Sequence, residues 1–290
     1  MTEVVTTLAG WRARTGGLRR EGRTVGLTMT MGALHAGHAS LFERAARERD
    51  ASLATVFVNP LQFGDADDLA AYPRDLDADV ELAASRGVEL VLAPSVEEVW
   101  PSWPSATATT VHVAGLADGL EEDGRPGHFD GVAGVVTKLL VATGACTAYL
   151  GEKDYQQLCV VRRLVADLAL PVDVVGCPIV REPDGLALSS RNVRLSAAGR
   201  AAALALPRSI EAGCRALRDG RGVDRALADV HAVFAAEPLV TLAYAAAVEP
   251  STLRAAVEPE LGATLRLLVA GLVEGVRLID NAEAIVGPVP

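Results

Sequence analysis

The chain has 290 residues, of which 50% are hydrophobic and 22% are charged. A composition this apolar supports a sizeable core and excludes a disordered chain, and the length is that of about two domains. The formal net charge is −10 at pH 7. Because an acidic chain is unsuited to binding polyanions, we expect neither nucleic acid nor a membrane as a partner.

Short apolar runs alternate with longer amphipathic runs over about the first 180 residues. Apolar runs bounded by turn residues such as Asn59-Pro60 are typical of buried strands. We predict strands at 24–30, 52–58, 88–93, 145–150 and 172–177. We predict helices at 38–49, 76–86, 131–143 and 156–168. Strands that alternate with helices in this way predict an α/β class with a parallel sheet covered on both faces.

The sequence changes in character after about residue 180. Ala- and Arg-rich runs predict helices, and apolar runs predict strands, the last of them a hairpin around 273–275. The helices are expected at 196–217 and 223–234, and the strands at 239–248 and 265–279. We therefore predict two domains, residues 1–176 and a smaller α+β domain at residues 177–290. Segments 94–104 and 115–131 are rich in proline, glycine or charge and are predicted to be loops.

The cysteines and the N-terminus both bear on the compartment. The four cysteines form no C-x-x-C pair (Cys146, Cys159, Cys177 and Cys214), which argues against a structural zinc site or a disulfide framework. Met1–Glu3 begins no basic and apolar leader. We therefore expect reduced thiols and a cytoplasmic location.

The strongest local signal is the run M-G-A-L-H-A-G-H at 31–38, directly after the first predicted strand. Its small residues let the backbone approach a ligand closely, and the following helix offers free N–H groups and a positive dipole end to a phosphate. His35 and His38 are three residues apart, so one helical turn places both on the same face. H-x-G-H between a strand and a helix is typical of the nucleotide-binding loop of adenylyl-transferring enzymes. The alternative is that both histidines only cap or pack the helix.

A second signal, G-E-K-D-Y-Q-Q at 151–157, follows another predicted strand, at the sheet edge where α/β folds bind ligands. Lys153 is one of only two lysines in the chain, and its compact ammonium suits phosphate oxygens. Asp154 is suited to ribose hydroxyls, and Gln157 to a substrate hydroxyl or carboxylate. The alternative is a solvated helix start with Asp154 as its cap.

A third signal is the run L-S-S-R-N at 188–192, close to the predicted domain boundary. Two hydroxyls and a guanidinium can hold a triphosphate through charge-assisted hydrogen bonds. The alternative is an ordinary serine-rich loop.

Two further segments carry candidate ligands for a small polar substrate. The run N-P-L-Q-F-G at 59–64 offers amides that add no charge, and Tyr72 follows it as either a ligand or a half-buried aromatic residue. In the long predicted loop, Arg125 is suited to a carboxylate or phosphate. His128 nearby is either a further ligand or an ordinary loop histidine.

Taken together, these motifs resemble the pantothenate synthetase (pantoate–β-alanine ligase) family. The resembling segments run in the family's order along nearly the whole chain, at 28–38, 57–74, 93–101, 125–132, 151–157, 180–192 and 277–281. The resemblance implies a Rossmann-like N-terminal domain, a smaller C-terminal domain that closes over the ATP site, and a cytoplasmic homodimer. It also implies ATP as a substrate, Mg²⁺ and two half-reactions. Pantoate and ATP form pantoyl adenylate and pyrophosphate, and the amine of β-alanine then displaces AMP.

The resemblance also implies roles for individual residues. Catalytic roles fall to His38, as the candidate general acid, and to His35, Lys153 and Arg191. The implied ATP-binding residues are Thr30, Met31, Gly32, His35, Gly37, His38, Gly151, Lys153, Asp154, Val180, Leu188, Ser189, Ser190 and Arg191. For pantoate the resemblance implies Gln62 and Gln157, with Gln62 also facing β-alanine. The polar candidates described above, Asn59, Tyr72, Arg125 and His128, complete the predicted residues for pantoate and β-alanine. Asp79 is the candidate contact to Mg²⁺, although Ala78 stands where some members have an acidic residue.

The chain departs from the family's usual residues at three further positions. Met29 stands in place of the usual Pro, Glu122 in place of Gly, and Leu188 in place of Met. Two rival functions stay open beside the one that the resemblance implies. One is a nucleotidylyltransferase that shares H-x-G-H, and the other is a non-catalytic nucleotide-binding protein. Release of AMP that depends on β-alanine would separate all three.

Overall fold

The chain divides into two units, seen in a computed structural model that describes residues 2–288. The first unit comprises the chain up to Glu152 together with Gln156–Pro178. The second comprises Lys153–Tyr155 and the chain from Ile179 onward. Met1, in the segment considered for a leader, and the last two residues of the predicted second domain lie outside the described residues.

A six-stranded parallel sheet forms the centre of the first unit and confirms the predicted α/β class. Its strands are β1 (Glu3–Val5), β2 (Val25–Thr30), β3 (Ala51–Val56), β4 (Val88–Leu92), β5 (Cys146–Gly151) and β6 (Val172–Cys177). They lie in the order β1-β4-β3-β2-β5-β6, so β2 has β3 on one side and β5 on the other. The strand order therefore reverses at β2, and α/β folds bind ligands beyond the carboxyl end of such a strand.

Helices alternate with the strands of this sheet along the chain, as βαβ crossovers require. They are α1 (Leu8–Arg20), α2 (Ala36–Glu48), α3 (Ala66–Ala70), α4 (Leu76–Ser85), α5 (Val96–Val99), α6 (Glu121–Gly124), α7 (His128–Thr143) and α8 (Tyr155–Asp167). The largest fully buried side chains include Trp11, Phe42 and Tyr149. Among residues 2–288, no helix is both long enough and apolar enough to span a bilayer.

The first strand and helix were not predicted from the sequence. β1 has only three residues, and α1 contains Gly16 and Gly17, each of which costs a helix interior about 1 kcal/mol relative to alanine. Tertiary packing stabilises α1 instead, because Trp11 is fully buried and its indole Nε1 donates to Thr143 Oγ1 at 2.9 Å. Most helical stability in proteins has this origin.

Both predicted loops contain helix: the short α5 lies within 94–104, and the loop predicted at 115–131 is wrong in its second half. α6 lies within it, and α7 begins at His128 rather than at residue 131. The Glu122 carboxylate accepts the backbone N–H groups of Gly127 and of Phe129, the latter at 3.1 Å, and so satisfies donors at the start of α7. Because Glu122 lies several residues upstream of α7, this cap is not visible as a local capping pattern.

A three-stranded antiparallel sheet and three helices form the second unit, as the predicted α+β pattern requires. The helices are α9 (Ala197–Ala203), α10 (Ala205–Arg218) and α11 (Val223–Ala235), and the strands are β7 (Val240–Val248), β8 (Thr264–Val273) and β9 (Val276–Ile285). The strand order is β7-β8-β9. The apolar faces of α10 and α11 form one core with the sheet, around Leu206, Phe234 and Leu267.

Two elements of this unit differ from their predicted bounds. The single helix predicted at 196–217 is broken at Leu204. Pro207 explains the break, because it has no N–H to donate to the carbonyl of Ala203 and its ring crowds that carbonyl. The hairpin turns at Glu274 and Gly275, both with positive φ, and β9 continues to Ile285, beyond the predicted end at residue 279.

All four cysteines are buried free thiols. Burial raises the pKa of Cys146 to about 12. A thiol in that environment stays protonated at neutral pH and is chemically inert.

Candidate active site

The loop that joins β2 to α2 has a backbone that only small residues allow. Gly32 has φ of 82°, and a Cβ atom there would lie 2.6 Å from Asp79 Oδ2 and 3.1 Å from Val56 Cγ1. Ala33 follows with φ of 51°. Glycine is therefore required at position 32, where the loop turns sharply beyond the end of β2.

A buried carboxylate holds this loop from α4. Asp79 is 4% exposed, its Oδ1 accepts the N–H of Leu34 at 2.7 Å, and its Oδ2 accepts the N–H of Ala33 at 3.1 Å. Burial raises the pKa of Asp79, and the two N–H donors oppose that rise. Both carboxylate oxygens thus accept hydrogen bonds from the backbone, so Asp79 fixes the conformation of the loop. Its contact to Mg²⁺ stays a prediction.

Replacing Asp79 by Asn should weaken ATP binding about tenfold and destabilise the protein by about 1–3 kcal/mol. The amide keeps one acceptor oxygen but turns its NH₂ group toward the other backbone N–H, which leaves buried donors unpaired. Calorimetric titration with ATP and thermal unfolding measure the two effects. Asp77→Asn on the exposed face of α4 is the matched control and should leave both unchanged. Recovery of ATP affinity in excess Mg²⁺ would instead show that Asp79 is a metal ligand.

The two histidines of the H-x-G-H motif form a reciprocal cap at the start of α2. Nδ1 of His35 accepts the N–H of Gly37 at 3.1 Å, and Nδ1 of His38 accepts the N–H of His35 at 3.3 Å. Their ring centroids are 4.2 Å apart. Because a backbone N–H can only donate, each Nδ1 is the accepting nitrogen, and in the neutral ring the proton lies on Nε2.

Capping by these histidines does not exclude ligand binding. The cap engages Nδ1 of each ring. Nε2–H of each ring is then the group that can donate a hydrogen bond to a ligand. A 13-residue helix also presents its positive dipole end here. The site can therefore stabilise a phosphate with two imidazole donors and the helix N-terminus.

Three predicted substrate residues come together beside this loop. Asn59 caps the 3₁₀ turn Pro60–Gln62, and its Nδ2 donates to Gln62 Oε1 at 3.0 Å. Nε2 of Gln62 points to Met31 Sδ at 3.1 Å. The buried Tyr72 donates from its hydroxyl to the Gly32 carbonyl at 3.4 Å. The tertiary structure thus joins the 59–62 turn, Tyr72 and the nucleotide-type loop in one unit.

His128 and Arg125 have protein partners that the sequence did not indicate. His128 is buried in the first turn of α7, and its Nδ1 donates to the Gln62 carbonyl at 2.8 Å. Arg125 forms an ion pair with the buried carboxylate of Glu121 at 2.6 Å. His128 is therefore not an ordinary loop histidine, because it supports the turn that carries Gln62. Substrate contacts for both residues stay predictions.

The two glutamines at the start of α8 differ in environment. Gln156, which the sequence did not single out, is buried; its Nε2 donates to the carbonyls of Leu116 and Gly119, and its Oε1 accepts the N–H of Glu121. Gln157 is half-buried. Gln156 therefore ties down the 115–121 segment, and Gln157 remains the glutamine suited to a ligand.

In the second unit, β9 holds the turn that carries Lys153. Asn281 Nδ2 donates to the Lys153 carbonyl at 2.9 Å, and Arg266 Nε donates to Asn281 Oδ1 at 2.7 Å. The Arg266 guanidinium also lies 4.1 Å from the ring centroid of Tyr155. The Lys153 ammonium lies 3.4 Å from the exposed carboxylate of Asp154. The backbone at Lys153 is thus fixed by two buried polar residues of the sheet.

Asp280, the neighbour of Asn281 in β9, fixes the segment that leads into the L-S-S-R-N motif. Asp280 is buried and accepts two hydrogen bonds from the Arg181 guanidinium, at 2.7 and 2.8 Å. The backbones of Arg181 and Ala187 form an isolated antiparallel β-bridge, and the N–H of Leu188 donates to the Val180 carbonyl at 3.0 Å. These contacts fold 180–188 into a tight loop, so Val180 and Leu188 lie side by side.

The serine-rich motif itself forms a capped 3₁₀ turn, Ser190–Arg194. Ser189 Oγ accepts the N–H of Arg191 at 3.2 Å. The buried Asn192 donates to the Ala187 carbonyl and to Glu182, which in turn pairs with Arg200. The run is therefore an ordered element with Ser190 and Arg191 at its start.

Sequence reasoning missed four supporting residues of this unit, Arg181, Arg266, Asp280 and Asn281. For the last three, the signal that could have found them is a polar residue inside an otherwise apolar strand. Arg266, Asp280 and Asn281 are each at most 5% exposed within β8 and β9. Buried polar groups of this kind are paired in proteins and usually hold something in place.

A parallel sheet with a glycine-dependent, histidine-capped loop at its switch point is typical of α/β enzymes that bind nucleotides. The family model for pantoate-beta-alanine ligase matches residues 3–283. The chain therefore belongs to the pantoate–β-alanine ligase family, and the resemblance found in the sequence is confirmed. It is a ligase of that family.

Known relatives agree along the full length. A pantothenate synthetase from Cereibacter sphaeroides is 50% identical over 282 residues, which cover 97% of this chain and 99% of the relative. The crystal structure of pantothenate synthetase from Thermus thermophilus matches with a TM-score of 0.90 and 47% identity, over 99% of this chain and all of that one. The pantoate-beta-alanine ligase from Francisella tularensis, crystallised in complex with β-γ ATP and β-alanine, matches with a TM-score of 0.78 and 29% identity over 97% of each chain.

Proposed function

We propose that this chain condenses pantoate with β-alanine to pantothenate at the expense of ATP, through pantoyl adenylate. The observation that carries the proposal is the loop after β2, held by Asp79 and ended by the His35–His38 cap. Family membership and the ATP and β-alanine bound by the Francisella tularensis relative support it.

In the first step, a pantoate carboxylate oxygen forms a bond to the α-phosphorus of ATP, and the bond to the pyrophosphate oxygen breaks. Negative charge develops on the phosphate oxygens. We assign His35 and His38 as Nε2–H donors to these oxygens, with the positive end of the α2 dipole beside them. Preorganised donors of this kind are worth about 3–4 kcal/mol each in a transition state. The Nδ1 contacts favour this donor role for His38 over the general acid that was predicted.

In the second step, the β-alanine amine attacks the acyl carbon, the bond to the AMP oxygen breaks and the amine loses a proton. No covalent bond to the protein is formed in either step. The protein's contribution is to position the reactants and to stabilise charge. We assign Gln62 and Gln157 to pantoate, with Gln62 also facing β-alanine, and Asn59, Tyr72, Arg125 and His128 to the surrounding shell.

The remaining ATP contacts that we propose come from motifs whose backbones are held by buried polar residues. Lys153 and Arg191 supply positive charge to the phosphates, and Ser189 and Ser190 supply hydroxyls. Further contacts are assigned to Thr30, Met31, Gly32, Gly151, Asp154, Val180 and Leu188. The hydrogen bond from Asn281 to the Lys153 carbonyl and the ion pair of Asp280 with Arg181 support these assignments.

Mg²⁺ is proposed to enter with ATP as part of the substrate. Within residues 2–288, no group of three or more His, Cys, Asp or Glu side chains is placed to hold a metal ion, and Asp79 binds the backbone with both oxygens. Magnesium commonly binds through substrate phosphates and water, with few protein ligands.

The homodimer and the cytoplasmic location are also proposals, supported by family resemblance. Sedimentation of the purified chain tests the first. Cell fractionation tests the second.

Release of AMP that depends on β-alanine tests the function directly. With ATP, Mg²⁺ and pantoate, we expect pyrophosphate without turnover to AMP, and addition of β-alanine should release AMP and pantothenate in equal amounts. Pyrophosphate release that needs a phosphorylated acceptor and ignores β-alanine would indicate a nucleotidylyltransferase. ATP binding without either product would indicate a non-catalytic protein.

Replacing Gln62 by Ala should weaken pantoate binding about tenfold or more and leave ATP binding nearly intact. The side-chain amide can bond a carboxylate or hydroxyl without burying a further charge, and alanine removes those bonds. Calorimetric titrations with pantoate and ATP measure the two affinities separately. Equal losses for both ligands would contradict a role confined to pantoate.

A further inference from the structure

A chain of hydrogen bonds runs from a buried tryptophan to the side chain of Gln62. Trp100 is 6% exposed, and its Nε1 donates to Asn59 Oδ1 at 2.9 Å. Asn59 Nδ2 donates to Gln62 Oε1 at 3.0 Å, and Gln62 Nε2 points to Met31 Sδ at 3.1 Å. All four residues belong to the first unit.

The direction of these bonds is fixed by groups whose roles cannot be exchanged. An indole N–H can only donate, so the Asn59 atom that faces it is the oxygen. A backbone carbonyl can only accept, and the other Asn59 atom faces the Gly131 carbonyl at 3.1 Å. Two independent partners thus assign the same orientation to the Asn59 amide, which is 1% exposed.

This orientation decides what Gln62 can offer to a ligand. Its oxygen accepts the Asn59 NH₂ group, so its own NH₂ group is the end directed away from Asn59. A free glutamine side chain offers both a donor and an acceptor, but Gln62 in this setting presents a donor. It therefore favours an atom that accepts hydrogen bonds, such as a carboxylate oxygen or a hydroxyl lone pair.

We infer that Trp100 is a positioning residue that acts through Asn59 to present Gln62 as a hydrogen-bond donor to the oxygen atoms of pantoate. The inference rests on the role in pantoate binding proposed above for Gln62. Lys138, whose ammonium lies 4.7 Å from the centroid of the Trp100 ring, and the carbonyl of Val99, which accepts from that ammonium, help to fix the indole.

The test replaces Trp100 by Phe, which keeps a ring beneath Lys138 and removes the N–H. Without that donor, the Asn59 amide keeps the Gly131 carbonyl and the Leu61 N–H as partners, but it loses the indole N–H, which is the closest of the three groups that set its orientation. We expect pantoate affinity to fall about five- to tenfold, a typical range for one hydrogen bond. ATP affinity should stay unchanged, and KM for pantoate should rise more than kcat falls.

The matched control is Trp11→Phe. Trp11 is fully buried in the same unit and donates its indole N–H to Thr143 Oγ1 at the same distance of 2.9 Å. It should lose a similar amount of thermal stability without a change in pantoate KM. Equal pantoate effects in the two variants would reduce Trp100 to a structural role and overturn the inference.

A double-mutant cycle with Gln62→Ala gives the deciding measurement. If Trp100 acts through Gln62, Trp100→Phe should cause no further loss of pantoate affinity in the Gln62→Ala background. Loss of the same factor in both backgrounds would overturn the inference while leaving the role of Gln62 intact. A Gln62→Ala variant with normal pantoate binding would instead contradict the proposed role of Gln62, and the inference with it.

Asn59→Asp is a second variant, should Trp100→Phe fold poorly. It keeps an acceptor for the indole and removes the NH₂ donor, so the Gln62 amide should turn its own NH₂ group toward residue 59. Pantoate affinity should then fall at least as far as in Trp100→Phe. Unchanged pantoate affinity in Asn59→Asp would contradict the inferred donor orientation.

Discussion

His38→Ala should slow formation of pantoyl adenylate by about 100-fold or more. The imidazole supplies one of two Nε2–H donors to the phosphate oxygens that gain charge, and loss of one such preorganised donor costs about 100- to 1,000-fold. Single-turnover measurement of pyrophosphate release, with ATP and pantoate both saturating, isolates this step from release of pantothenate. Adenylation within tenfold of the unmodified protein would contradict the role.

The His38→Ala variant should also be less stable, because His38 accepts the N–H of His35 and alanine cannot. Loss of such a cap costs about 1 kcal/mol. His38→Gln separates the two effects, since a glutamine at the third helical position can accept the same N–H. We expect His38→Gln to unfold at the temperature of the unmodified protein and to remain slow in adenylation. Full activity of His38→Gln would show that the cap, rather than the imidazole, is what the reaction needs.

Lys153→Arg should reduce pyrophosphate release by about 100-fold although the charge is conserved. Asn281 holds the Lys153 backbone, so the Cα atom from which the side chain extends has a fixed position. A planar guanidinium on that backbone cannot direct donors as a compact ammonium does. Single-turnover pyrophosphate release again gives the rate, and thermal unfolding shows whether the fold is intact.

Arg163→Lys is the corresponding exchange of one cation for another away from the proposed site. Arg163 pairs with Asp167 on the exposed face of α8, where exposed ion pairs contribute little. It should change neither rate nor stability. If Lys153→Arg releases pyrophosphate at a near-normal rate, Lys153 is only a surface charge.

Local patterns in the sequence predicted most of the regular elements. β2, β3, β4, β5 and β6 lie where short apolar runs end at turn residues, and α2 begins at the H-x-G-H motif. These features depend on neighbouring residues, so they can be read along the chain. Where the local pattern was weak, as in the glycine-containing α1, only packing against α7 reveals the helix.

By itself, the sequence determined the α/β class, the nucleotide-type loop at 31–38 and membership of the pantoate–β-alanine ligase family. The tertiary structure alone decided that Asp79 holds that loop, that Glu122 caps α7, that Asn281 holds the backbone at Lys153, and that the side-chain oxygen of Gln62 faces the Asn59 amide. Each of these depends on a partner that folding brings close, and for three of them the partner lies 41 to 128 residues away along the chain. Strand and helix periodicity records which face of an element is buried, but it carries no information about which buried polar group satisfies which distant donor or acceptor.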